Sequence, residues 1–211
     1  MMLIGMFDSP FVRSVAISLD MLDIPFEHVN WSVGKDFDRI RQYNPLGRVP
    51  TLVLDDGEVL IESSAMLDYL DERGGPQRAL LPPAGAERRT ALRIIALAFG
   101  AAEKSRDQIY ERTFKPKEKW HQPWIDRCHR QMRGALEQLE RIASERGASQ
   151  WLASERFTRA DLMVACIFTV LRDALEPDLQ QQFPKLAAHL RRCDELPAFK
   201  ATYLPWIAPQ T

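Results

Sequence analysis

Cysteine is scarce in this chain. Three occur in 211 residues, Cys128, Cys166 and Cys193, odd in number and far apart. There is no Cys-x-x-Cys and no Cys/His cluster, so neither a disulfide scaffold nor a structural zinc site is expected, and no metal. None of the three lies in residues 1–80, which leaves that stretch without a thiol nucleophile. Such usage suits a reducing cytoplasm. Long apolar runs are missing as well. The uncharged stretches Ile94–Ala102 and Leu162–Leu171 reach only half of the roughly 20 residues that a membrane-spanning helix needs. Met1 to Asp8 carries no basic segment and no cleavage site, so no secretory signal is expected. Net charge is nearly absent at −1, which argues against nucleic acid as a main partner. Internal repeats and low-complexity tracts are lacking too.

What is present is ordinary globular material: 45% hydrophobic and 27% charged residues. The length suits one large or two small domains, and a chain of this size buries about 70% of its unfolded surface. The charge is unevenly spread. Residues 1–80 hold 7 Lys and Arg against 13 Asp and Glu, a balance of −6, and residues 81–211 hold 21 against 16, a balance of +5. That shift points to two differently charged domains.

The first 80 residues alternate strand and helix signals. Leu3 to Phe7 is a short apolar run, read as a buried strand. Ser9-Pro10 reads as a helix cap with proline in the first turn, and Val12, Val15, Ala16, Leu19 and Leu22 follow at helical spacing. Phe26 to Trp31 alternates as a second strand, and Phe37 to Tyr43 is a short helix. Thr51–Leu54 and Val59–Ile61 flank the turn Asp55-Asp56-Gly57 as a hairpin. A helix from Ser63 ends at Gly74-Gly75-Pro76. The order is β-α-β-α-β-β-α. After a linker at 79–85 only helices are expected: Glu87–Arg112, Trp120–Arg146, Thr158–Asp173, Phe183–Arg192 and Ala198–Leu204. The assigned domains are 1–78 and 86–211.

Three segments carry chemistry. Asp8 to Arg13 places Ser9 at a helix start, where unpaired N–H groups favour an anion; Ser9 also suits a plain cap. Asn44 to Leu52 sets Pro50 directly before a strand, a position proline tolerates. Ile61 to Ala65 offers a second helix start with small hydroxyls, fit for a carboxylate or again a cap. Further along, Thr158-Arg159-Ala160-Asp161 spells a capping box, so Asp161 reads as structural.

Together these segments resemble the glutathione transferase family, across nearly the full chain. The carrying motifs are Ser9-Pro10-Phe11-Val12-Arg13, Asn44-Pro45-Leu46-Gly47-Arg48-Val49-Pro50-Thr51-Leu52, Leu60-Ile61-Glu62-Ser63-Ser64-Ala65-Met66 and Thr158-Arg159-Ala160-Asp161. The resemblance implies a thioredoxin-like N-terminal α/β domain and an all-α C-terminal domain. It implies that Ser9 hydrogen-bonds the glutathione sulfur. Val49 pairs its backbone with the cysteinyl part, and Pro50 is the cis-proline that shapes the loop. Glu62 takes the γ-glutamyl ammonium and Ser63 its carboxylate, while Arg48 reaches the glycyl end.

The departures narrow the class. Cysteine-type chemistry has no nucleophile in residues 1–80, and no tyrosine lies near the N-terminus. The double-serine-cysteine signature associated with maleylacetoacetate isomerases is absent around Ser9. Asp8 is unusual company for a thiolate, since a nearby negative charge raises a thiol pKa; it is expected to point away. His28, His121, His129 and His189 have no motif context. The implied enzyme is a cytoplasmic, homodimeric, serine-type glutathione S-transferase, a detoxification activity in which glutathione is co-substrate and a small electrophile its partner. Phe11, Gln108, Arg112 and Trp120 are candidates to line the second-substrate site. A glutathione-dependent isomerase, a dehalogenase and a non-catalytic binding protein on the same fold are the alternatives.

Overall fold

The structure is a computed structural model, described here for residues 1–147 and 151–208. The chain divides into two compact units. One comprises Met1 to Pro83 together with the segment that begins at Leu196, and the other spans Ala84–Glu195.

The first unit is built on a four-stranded sheet in the order β2-β1-β3-β4. Its strands are β1 (Met2–Ile4), β2 (Glu27–Val29), β3 (Thr51–Val53) and β4 (Val59–Ile61). β1 and β2 run parallel, with Leu3 opposite His28, so a crossover must join them. Helix α1 (Pro10–Met21) is that crossover. β1 pairs antiparallel with β3, Leu3 opposite Leu52, and β3 with β4. The β3–β4 hairpin turns at Asp55-Asp56-Gly57, where Gly57 has φ 90°, a value that glycine adopts at no steric cost. Leu3 and Ile4 are neighbours and both fully buried, as expected of a central strand covered on both faces. Val12, Val15, Ala16 and Leu19 of α1 and Met66, Leu67 and Leu70 of α3 (Ser63–Arg78) complete this core. A short α2 spans Phe37–Ile40.

Three sequence expectations change here. β1 stops at Ile4 rather than Phe7, because Gly5 turns the backbone at φ 134°. Gly75, at φ 75°, breaks α3 where expected, but Pro76 then opens one more helical turn that runs to Arg78, as proline suits a first turn. Residues 79–83 are no free linker. Ala79, Leu80 and Leu81 are buried, and the N–H groups of Leu80 and Leu81 donate to Asp71 at 2.8 and 3.1 Å.

The second unit holds α4 (Gly85–Thr113), α5 (Gln122–Glu145), α6 (Arg159–Ala174), α7 (Leu179–Gln182) and α8 (Pro184–Asp194). α6 is its centre: Ala160 and every residue from Leu162 to Thr169 are buried. The capping box at Thr158 and Asp161 forms. α9 (Pro197–Ala201) corrects the 86–211 domain assignment, because it packs on α1 within the first unit. The reason is Arg13. Its side chain is buried, donates to the Phe199 carbonyl at 3.0 Å, and lies over the Phe199 and Tyr203 rings at 5.5 and 5.6 Å. Among the described residues, no helix is long and apolar enough to cross a membrane.

Candidate active site

The β1–α1 loop presents Ser9. Its backbone is extended (φ −77°, ψ 123°), Pro10 occupies the first helical position, and the Ser9 Oγ accepts from the Val12 N–H at 3.5 Å. Accepting that bond leaves the hydroxyl proton available to donate. The positive end of the α1 dipole lies at the same spot. Ser9 is therefore a helix cap whose hydroxyl can also donate.

Gly5 joins this loop to the Val49 segment. A Cβ at Gly5 would lie 2.6 Å from Val12 Cγ2 and 2.8 Å from Val49 Cβ. No side chain fits there, and the positive φ adds strain for any other residue. The Val12 side chain, in the first turn of α1, and the Val49 side chain thus approach each other across a bare glycine. The Val49–Pro50 peptide is cis. Asn44, itself buried, braces the loop: its Nδ2 donates to the Arg48 carbonyl at 3.0 Å and to Thr51 Oγ1 at 3.2 Å, and its Oδ1 accepts from Leu46 N–H at 3.0 Å. Arg48 is exposed at the loop rim.

Glu62 and Ser63 sit at the β4–α3 junction. Glu62 holds φ 75° and ψ 121°, a conformation that costs a non-glycine residue about 1–3 kcal/mol. The α3 N-terminus carries no side-chain cap, so the cap alternative for Ser63 is not what the structure has. Ser63 is buried and donates to Glu62 Oε1 at 3.3 Å, while Glu62 is exposed. An exposed carboxylate suits a cation, and an uncapped helix start suits an anion.

The sequence profiles for "Glutathione S-transferase, N-terminal domain" and "Glutathione S-transferase, C-terminal domain" match residues 3–78 and 122–192. The glutathione S-transferase GstA of Escherichia coli O157:H7 is 30% identical over 184 residues, 86% of this chain and 81% of that one. The chain belongs to the glutathione S-transferase family. A glutathione S-transferase of Methylobacterium radiotolerans, solved in complex with glutathione sulfonate, superposes with TM-score 0.90 at 27% identity, covering 100% of this chain and 97% of that one. A maleylacetoacetate isomerase of Pseudomonas aeruginosa is 40% identical over 72 residues, about a third of each chain.

Other groups in this transferase are committed elsewhere. Asp8 directs its carboxylate to the Ile207 N–H at 3.3 Å, and burial pushes its pKa above the ordinary value. Arg13, in the same motif as Ser9, donates to the Phe199 carbonyl. Among the second-substrate candidates, Phe11 is half-buried on α1. Gln108 is buried, and its Nε2 donates to the Lys104 carbonyl at 3.0 Å with Met132 Sδ 3.8 Å away. Arg112 is exposed on the last turn of α4. Trp120 is half-buried and donates from Nε1 to the Lys115 carbonyl at 2.9 Å. In the same loop Lys115 pairs with Glu111 at 2.8 Å, which holds the Glu111 carboxyl below its usual range.

Sequence reasoning passed over Gly5 and His28. His28 Nε2 lies 2.7 Å from the Gly5 carbonyl, and its ring stacks on Phe7 with centroids 3.8 Å apart. The sequence signal for Gly5 was a glycine inside an apolar strand run, which marks a bend or a close backbone approach. For His28 there was none.

Proposed function

We propose that this chain binds glutathione through the Val49 backbone, Glu62, Ser63 and Arg48, and that Ser9 stabilises its thiolate for attack on a small electrophile. The observation that supports this reading is the Gly5 junction, where Val12, in the helical turn that Ser9 caps, and Val49 both close on a bare glycine. A free cysteine thiol has a pKa of about 8.5. Helix N-termini and nearby donors bring such thiols to about 3.5–7.5. The thiol proton leaves to solvent, Ser9 keeps its own proton, and the thiolate sulfur forms the new bond to carbon. A leaving group departs with the electron pair, or the adduct takes up a proton.

The test compares Ser9→Ala with Glu62→Ala and Ser63→Ala. A hydrogen bond to a charged group is worth about 1.5–3 kcal/mol, so Ser9→Ala should raise the pKa of bound glutathione and slow turnover by roughly one to two decades. Glutathione affinity should change little. Glu62→Ala and Ser63→Ala should do the reverse. Unchanged thiolate absorbance against pH and unchanged turnover in Ser9→Ala would reduce Ser9 to a cap.

Glutathione-dependent isomerisation is the second reading, favoured by the match to the Pseudomonas aeruginosa enzyme. Conjugation consumes glutathione one for one and isomerisation consumes none, so glutathione stoichiometry separates them. The assembly we propose is a cytoplasmic homodimer, supported by the opposite charges of residues 1–80 and 81–211. The contact would involve α3 together with α4 and α5. Light scattering that gave one chain mass at micromolar concentration would rule it out.

A further inference from the structure

One side chain of the edge strand β2, His28, makes two contacts to the loop between β1 and α1, Gly5 to Ser9. Gly5 donates its N–H to the Val29 carbonyl at 3.0 Å, and its own carbonyl faces His28 Nε2 at 2.7 Å. A carbonyl oxygen only accepts, so Nε2 carries the proton and donates. Two residues on, the Phe7 ring lies on the His28 ring at 3.8 Å with planes 5° apart. Both contacts of the imidazole therefore go to the one loop that presents Ser9. The loop's own bonds are long by comparison: Ser9 N–H to the Met6 carbonyl is 3.2 Å, and Val12 N–H to Ser9 Oγ is 3.5 Å. Gly5 is also the residue wedged between Val12 and Val49. A shift of its carbonyl would move the Ser9 turn against the Val49 backbone.

We propose that His28 is a positioning residue for thiolate formation: by holding the Gly5 carbonyl and the Phe7 ring, it sets the Ser9 hydroxyl relative to Val49. This rests on the reading of Ser9 above. His28 touches no substrate in this scheme and moves no proton. Its effect is geometric, and misplacing a catalytic group by about 1 Å can cost up to a hundredfold in rate.

Three variants of the full chain separate donor from stack. His28→Phe keeps a ring against Phe7 and removes the donor. His28→Gln keeps a donor at similar reach. Phe7→Leu removes the stack and keeps the imidazole. Each is measured by ultraviolet titration of the glutathione thiolate in the binary complex, by kcat and KM with a nitro-activated aryl chloride, and by melting temperature. His28→Phe should raise the pKa of bound glutathione and lower kcat about tenfold, with KM for glutathione within twofold of the parent. His28→Gln should recover most of that loss, and Phe7→Leu should lower kcat about threefold. If His28→Phe fails to fold, Phe7→Leu and His28→Gln carry the test between them. Wild-type titration in Phe7→Leu, together with a damaged one in His28→Gln, would then overturn the proposal. A parallel loss of melting temperature and glutathione affinity, with kcat intact, would overturn it too. If Ser9→Ala shifts the titration and the His28 variants do not, this inference falls alone. If Ser9→Ala shifts nothing, the reading of Ser9 falls and takes this one with it.

Discussion

Asp161→Ala should damage the fold and spare the chemistry. The Asp161 side chain is fully buried at the start of α6. Its Oδ1 accepts from Leu152 N–H at 2.7 Å, and its Oδ2 accepts from Thr158 N–H and Thr158 Oγ1–H at 2.8 Å each. Alanine would leave the N–H groups of two buried residues, Leu152 and Thr158, without this acceptor. A buried donor left unpaired costs about 1–3 kcal/mol. The opposing contribution is relief of a buried charge: burial pushes the Asp161 carboxyl above its ordinary pKa, so the carboxylate is held at some cost. The net loss is about 2–4 kcal/mol. Each kcal/mol moves the midpoint of a 150–250-residue protein by about 2–4 °C, which gives a fall of about 4–16 °C. Calorimetry measures it. Well below the transition, glutathione affinity and kcat should stay within twofold, because Ser9, Val49, Glu62 and Ser63 belong to the other unit. A melting temperature within 2 °C of the parent, or lost turnover at an unchanged melting temperature, would refute the reasoning.

Two further outcomes concern pH. His189 is fully buried beside Asp161, and burial holds its imidazole below the ordinary value of 6.5. Below that pH the unfolded chain binds the extra proton, so stability is lost as pH falls through 6.5, by at most about 1.4 kcal/mol per pH unit for one group. The Asp161 shift has the opposite sign: burial raises its pKa, so its contribution is lost as pH rises above 3.8. Urea unfolding between pH 7.5 and 5.5 should show a shallower slope for His189→Gln; parallel slopes would contradict this. Asp8 has a raised pKa, so the folded state binds its proton more tightly, and stability is lost as pH rises above 3.8. Asp8→Asn keeps an acceptor for the Ile207 N–H and should raise the melting temperature at pH 7, with the gain fading as pH drops towards 3.8. No gain at pH 7 would count against a buried Asp8 charge.

The local grammar of this chain was legible without coordinates. The cap at Thr158, the hairpin turn Asp55-Asp56-Gly57 and the strand–helix alternation of residues 1–78 are readable because each depends on neighbours within a few positions. The motif residues Ser9, Val49, Pro50, Glu62 and Ser63 were legible for the same reason. α7, four residues long, was not read from the sequence.

What the tertiary structure decided is everything that depends on contacts distant in sequence. Gln108 reads from the sequence as a polar lining residue, and only the fold shows it buried with its amide nitrogen on the Lys104 carbonyl and near Met132. Asp8 looks like a neighbour hostile to a thiolate until Ile207, 199 residues away, takes its carboxylate. Arg13 is one more charge on a helix until the chain returns at Phe199 and buries it, which also moves the last segment into the first unit. Gly5 and His28 acquire meaning only when β2 lies beside β1 and Val49 closes on α1. Propensity and capping act over one or two turns, so the sequence alone determined the elements and the motifs they carry. Packing acts between elements, so the fold alone decided which polar groups are free for chemistry and which are consumed in holding the site together.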